Sequence, residues 1–169
     1  MLVTSAQAAK LLRQFNDELR TLQLREENSS SFVAAIQEDV ESVRPEYNFN
    51  EMRTAQAEVE LKIRKLKHAI NVFNTTMTIP DFDITIDEML VYLPQLNRQC
   101  EVLAEMRNAM PKVRVSSGYS SSGSIIDYRY ANYDIEEVSK RYNEISDTLA
   151  KAQTALDLVN STVEFEVDL

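Results

Sequence analysis

The sequence predicts a mainly α-helical protein: long antiparallel helices with heptad-like seams, as helical hairpins or a bundle, plus a small antiparallel β-hairpin or three-stranded sheet. Three observations predict it. Apolar residues recur in steps of three and four over four stretches of the chain. Residues that cap helix N-termini stand in front of those stretches. One intervening stretch drops the rhythm for Ser, Tyr and β-branched residues around the chain's two glycines, Gly118 and Gly123.

Taken in chain order, Ala8, Leu12, Phe15, Leu19 and Leu22 form the first stripe, behind Thr4 or Ser5 as cap, and this helix is expected to fray at Glu26-Glu27-Asn28. Ser31 to Ile36 follows as a candidate third strand. The rival is a helix up to Pro45, since Phe32, Val33, Ile36, Val40 and Val43 fit helical spacing too; the strand is preferred. Met52, Gln56, Val59, Ile63, Leu66, Ile70 and Phe73 make a second long helix capped near Asn50, with one polar lapse at Gln56. Met89, Leu93, Leu96, Cys100 and Leu103 make the third. The box Thr85-Ile86-Asp87-Glu88 announces it, Pro111 closes it, and Pro94 predicts a kink inside it.

Lys112-Val113-Arg114-Val115, the Ser/Gly run 116–123 and Ser124 to Tyr130 read as strand, long turn and strand. Asp134 then caps a last helix from about Ile135 to Asn160, with Glu137 placed to complete a capping box. Its seam is the clearest of all: Ile135, Val138, Tyr142, Ile145, Leu149, Ala152, Leu156 and Val159. A chain of 169 residues is about one domain's worth, so the expectation is a single helical domain over 1–169 with a β-hairpin insertion at about 112–131. Its seams must meet each other or another subunit.

Composition excludes several functions. Two glycines cannot build a Rossmann fingerprint or a P-loop. One cysteine and one histidine cannot form a structural zinc site, which takes about four such ligands, and a single cysteine cannot form an intramolecular disulfide. A net charge of −9 repels phosphate backbones, so nucleic acid is not an expected partner. The start MLVTSAQAAKLLRQF lacks a basic region followed by an apolar block, and charges interrupt every later apolar stretch, so neither export nor a membrane partner is expected and the reading is cytoplasmic. The sequons at Asn28, Asn74 and Asn160 are then read as chance.

No catalytic residue, metal site or cofactor is assigned. Lys62, Arg64, Lys65, Lys67 and His68 concentrate positive charge on the second helix, either as an anion site or as partners for glutamates of a neighbouring helix. His68 could act as a general base, but no nucleophile stands at a recognisable spacing, and a structural hydrogen bond is the preferred reading. The Pro80 to Glu88 run alternates carboxylates with apolar groups as a cation loop does, yet it lacks the glycine of a calcium-binding loop. Tyr128, Tyr130 and Tyr133 surround Arg129, the composition of a recognition surface; the rival, that Tyr128 and Tyr130 face the helices as core, is the preferred reading. Cys100 reads as a small apolar seam residue.

The run Lys65 to Thr76 (KLKHAINVFNTT), the strand Ile125 to Tyr130 and the ending Ala155 to Thr162 together resemble the septicolysin-like family of small bacterial proteins, over almost the whole chain. The resemblance implies helical hairpins with a small β element and members mostly of unknown function. It directs attention to His68, Asn71, Asn74, Tyr128 and Arg129, with Asn74 expected to cap the end of the second helix. The function expected is that of a non-enzymatic, self-associating scaffold or protein-interaction module, forming a homo-oligomer and engaging protein partners. The alternative is a binding module for a small anionic ligand near Lys67, His68 and Arg129.

Overall fold

The computed structural model describes residues 1–115 and 127–169. In chain order its elements are β1 (Leu2–Thr4), α1 (Ser5–Ser29), α2 (Val40–Val43), α3 (Phe49–Thr76), β2 (Thr78–Ile79), β3 (Ile84–Thr85), α4 (Ile86–Asn108), β4 (Lys112–Arg114), β5 (Tyr128–Tyr130), α5 (Ile135–Thr162) and β6 (Glu164–Glu166). The protein is mainly α-helical with small antiparallel strand pairs. Contacts divide the chain into two units, Met1–Met77 with Leu158–Leu169, and Thr78–Asp157.

In the first unit, Thr4 caps α1. Its hydroxyl accepts from the Gln7 amide at 3.3 Å, while the Gln7 side chain accepts from the Thr4 amide at 2.9 Å, satisfying two donors that a helix start leaves free. α1 continues through Glu26-Glu27-Asn28 to Ser29, where fraying was expected. The reason is tertiary: Glu26 is held by three side chains from beyond the helix, described below. α3 packs against α1, with Ala8 near Leu66 at one end and Glu26 on Gln56 at the other, so the two run antiparallel. Of the predicted α3 seam, Met52, Gln56, Val59, Ile63, Leu66 and Phe73 are buried, and Ile70 is half-buried.

The cap of α3 is Asn48 rather than Asn50, its carboxamide oxygen accepting from the Asn50 and Glu51 amides at 3.1 and 3.3 Å. At the other end the Met77 amide closes on the Phe73 carbonyl, and the Thr75 and Thr76 hydroxyls donate to the Asn71 and Val72 carbonyls. Asn74 takes no part in that ending, contrary to expectation, because α3 runs two residues past it.

β1 and β6, a pair not foreseen from sequence, join antiparallel with Val3 opposite Phe165. Met1 and Val167 exchange backbone hydrogen bonds of 2.7 and 2.8 Å beside them. This ribbon lies on a core of Val3, Ala8, Leu66 and Val167, and Phe165 stacks on Phe73 with ring centroids 4.5 Å apart. The residues are unremarkable as a strand signal: three-residue strands are too short for alternation to register.

Residues 31–36 form neither the predicted strand nor the rival long helix. They are irregular, and only Val40–Val43 is helical, capped by Asp39. The three-stranded option therefore gives way to three separate two-stranded ribbons among the described residues.

In the second unit, β2 and β3 pair Ile79 with Ile84 across the turn Pro80–Asp83. Asp81 and Asp83 sit at φ 67° and 52°, the left-handed region that aspartate tolerates better than most residues. The run read as a possible cation loop is thus a tight hairpin leading into α4. The predicted Thr85–Glu88 capping box is present, Glu88 accepting from the Thr85 amide at 2.8 Å and the Thr85 hydroxyl at 2.9 Å. Those bonds hold the Glu88 pKa below its ordinary value, the backbone bond being the larger cause.

Ile79, Ile86, Met89 and Leu96 are buried, and Leu93, Cys100 and Leu103 are half-buried. Pro94 lies within an α4 that continues to Asn108. β4 and β5 pair as predicted, Lys112 with Tyr130 and Arg114 with Tyr128; the run 116–123 and Ser124 to Ile126 lie outside the described residues. Asp134 accepts from the Glu136 and Glu137 amides at the start of α5, without the return bond expected from Glu137. Val138, Ile145, Ala152, Leu156 and Val159 of the α5 seam are buried, and Ile135, Tyr142 and Leu149 are half-buried. Among the described residues no helix is long and apolar enough to cross a membrane.

Candidate functional site

The sequence-predicted residues fall on two faces, one in each unit. In the first, the antiparallel α1 and α3 leave an open groove of about 540 Å³ lined by Asn16, Leu19, Glu60, Ile63, Arg64, Lys67, His68 and Asn71. Helical spacing explains the set, since Glu60, Arg64, Lys67 and Asn71 follow one another at steps of four, three and four and share a face. Ile63 is buried and Leu19 half-buried, giving the groove an apolar floor, and Arg64, Lys67, His68 and Asn71 are exposed on its rim.

Among the described residues the basic run makes no ion pair with a glutamate. Lys65 pairs with Asp168 at 3.6 Å, Lys62 lies 5.9 Å from the centre of the Phe15 ring, and Arg64 and Lys67 form no ion pair among the described residues. His68 likewise makes no hydrogen bond among them, so the structural bond preferred for it from sequence is missing, because it points off the seam into solvent. Asn74, half-buried, is not among the groove residues.

The second face is the β4–β5 ribbon. Tyr128 and Tyr130 stand two apart on β5, so they share one side of it, and the Lys112 ammonium of β4 sits 4.0 Å from one ring centre and 5.4 Å from the other. Tyr128 and Tyr130 are 42% and 62% exposed, which overturns the reading of these tyrosines as core. Beside them a hollow of about 710 Å³ is lined by Met110, Val113, Arg114, Arg129, Tyr130 and Tyr133 among others. Tyr133 is anchored by its hydroxyl, which donates to the Met106 carbonyl at 3.1 Å. Arg129 therefore belongs with the tyrosines, while Lys67, His68 and Asn71 belong with the groove. Lys112 and Arg114 join this face through the cross-strand register, a signal absent from local sequence, which places each opposite a tyrosine.

A third cluster also escaped, although its marker was visible as the polar lapse in the α3 seam. Gln56 is 3% exposed and its amide donates to Glu26 at 2.8 Å; the Arg53 guanidinium donates to Gln56 at 3.1 Å and to Glu26 at 3.3 Å, and the Tyr47 hydroxyl donates to Glu26 at 3.1 Å. The Gln56 hydrogen bond, foremost, holds the Glu26 carboxyl below its ordinary pKa, whereas burial first and the Glu26 bond second raise the Tyr47 phenol. Every member already has its partner inside the network, which ties α1, α3 and the connection between them, so its role is structural. Among the described residues no three His, Cys, Asp or Glu side chains converge as metal ligands.

No family model matches the chain, and no curated protein matches it. In structure the chain is similar to a functionally unknown conserved protein from Corynebacterium diphtheriae, known from a crystal structure, with a TM-score of 0.56 and 15% sequence identity over 98% of this chain and 100% of the other. That likeness is one of fold.

Proposed function

We propose that the chain is a non-enzymatic, self-associating cytoplasmic protein that serves as a scaffold or interaction module, with the β4–β5 face as its contact surface for protein partners. The observation that supports this reading is the pair of exposed tyrosines around Lys112, next to Arg129 and Tyr133. Tyr and Arg are enriched among the residues that carry most binding energy at protein interfaces, and Tyr presents a large contact area with a polar end at low entropic cost. Membership of the septicolysin-like family is part of the same proposal. It rests on the Lys65 to Thr76 run, which supplies the buried Leu66 and Phe73, and on the Tyr128 to Tyr130 strand.

Native mass spectrometry of gently purified protein tests the reading. A defined multimer without added mass is expected, and a bare monomer at every concentration contradicts it. The groove supports a second reading, in which a small anion sits against Lys67 and His68. There the same spectrum shows added mass that disappears in His68→Ala.

A further inference from the structure

The connection between α1 and α3 leaves uncovered an apolar surface whose spacing suits burial. Phe32, Ile36, Val40 and Val43 stand four, four and three residues apart, yet Val33 is 94% exposed and Ile36 fully exposed. Around them are Glu38, Asp39, Glu41 and Glu46 against one arginine, Arg44. The α1–α3 groove has the opposite character, with the apolar floor of Leu19 and Ile63 and a rim of Arg64, Lys67 and His68 against Glu60. An acidic segment with exposed apolar side chains and a basic groove with an apolar floor lie on the same unit.

The segment does not reach the groove of its own chain. α1 ends at Ser29, ten residues beyond Leu19, which is about 15 Å along a helix. Phe32 is meanwhile held at 5.4 Å from the Arg44 guanidinium, and Arg44 is itself fixed to Glu41 by bonds of 3.0 and 2.7 Å.

We propose that Val33 and Ile36 of one copy seat on the Leu19–Ile63 floor of a second copy's groove, with Glu38 and Glu41 against Arg64 and Lys67. This deepens the self-association reading and rests on it. The two copies are related by a two-fold axis, the segment of each seated in the groove of the other, so the paired contacts close at a dimer. Aliphatic burial supplies the attraction and the opposed charges set register and exclude wrong pairings.

Sedimentation velocity tests it on four samples: wild type, Val33→Asp with Ile36→Asp, Arg64→Glu with Lys67→Glu, and a mixture of the two double variants. All four altered side chains are exposed, so helicity and melting temperature stay at wild-type values and serve as the fold control. The expected result is a wild-type dimer, a monomer for each double variant, and partial recovery of dimer in the mixture, where one of the two contacts is intact. A second restoring variant adds Glu38→Lys and Glu41→Lys to the groove reversal and is expected to dimerise again. If the Val33/Ile36 variant or the groove variant keeps the wild-type mass, this surface is wrong while self-association stands. A wild-type monomer at all concentrations overturns both.

Discussion

The α3 seam and the connection preceding it both carry apolar residues at helical steps of three and four and end in different states. Met52, Val59, Ile63, Leu66 and Phe73 are buried in a helix of 28 residues, whereas Val33 and Ile36 stand in solvent beside a helix of four. Spacing alone does not decide between these states. α3 has α1 antiparallel beside it and an Asn48 cap in front of it, so each seam residue finds an apolar neighbour. The connection has a turn at Ala35–Glu38, a cap at Asp39 that starts a new helix, and Pro45 to stop it. A helix that short is unstable without a surface to pack on.

The largest test of this contrast is Leu66→Ala. Leu66 of α3 is fully buried against α1 and the terminal ribbon, and the truncation is expected to cost about 2–5 kcal/mol, read by urea denaturation followed by circular dichroism. Gln56→Ala is expected to cost less, about 1–3 kcal/mol, because it removes a buried amide and leaves its hydrogen-bond partners to water; the same titration measures it.

The polar network also sets the pH response. Glu26 is held below its ordinary value of 4.5, so its contribution is present above that pH and is lost as pH falls through the lowered value. Tyr47 is held above its ordinary 10.0, so its contribution is present below pH 10 and is lost as pH rises through the raised value. Melting temperature against pH is expected to fall at both ends, with the acid limb flattened in Gln56→Ala, which removes the main cause of the Glu26 shift. The smallest effect belongs to Val33→Asp with Ile36→Asp. At these exposed positions the monomer is expected to keep its unfolding free energy within about 0.5 kcal/mol.

Legibility in the sequence followed the same contrast. Helices with many seam positions were readable because the apolar face is sampled repeatedly: the α3 and α5 seams are buried at most of the positions named, and Thr4, Thr85 and Asp134 cap where local chemistry places them. What depends on distant partners was not readable. The extension of α1 through Asn28 needs Gln56, Tyr47 and Arg53 from elsewhere, the β1–β6 ribbon needs the two ends of the chain brought together, and the exposure of Tyr128 and Tyr130 depends on what does not pack over them. The site residues were found by type, as basic and aromatic clusters. Their grouping was not, since Arg129 and the Lys67–His68 pair are far apart in sequence and only the fold assigns each to its own face.

The most direct test of the idea that the connection lacks only a partner is hydrogen exchange of its backbone amides at low and high protein concentration. Amides of residues 31–43 are expected to exchange rapidly in dilute solution and to gain protection as concentration rises, while the interior amides of α3 remain protected throughout. Rapid exchange of 31–43 at a concentration where the protein is dimeric would contradict the account.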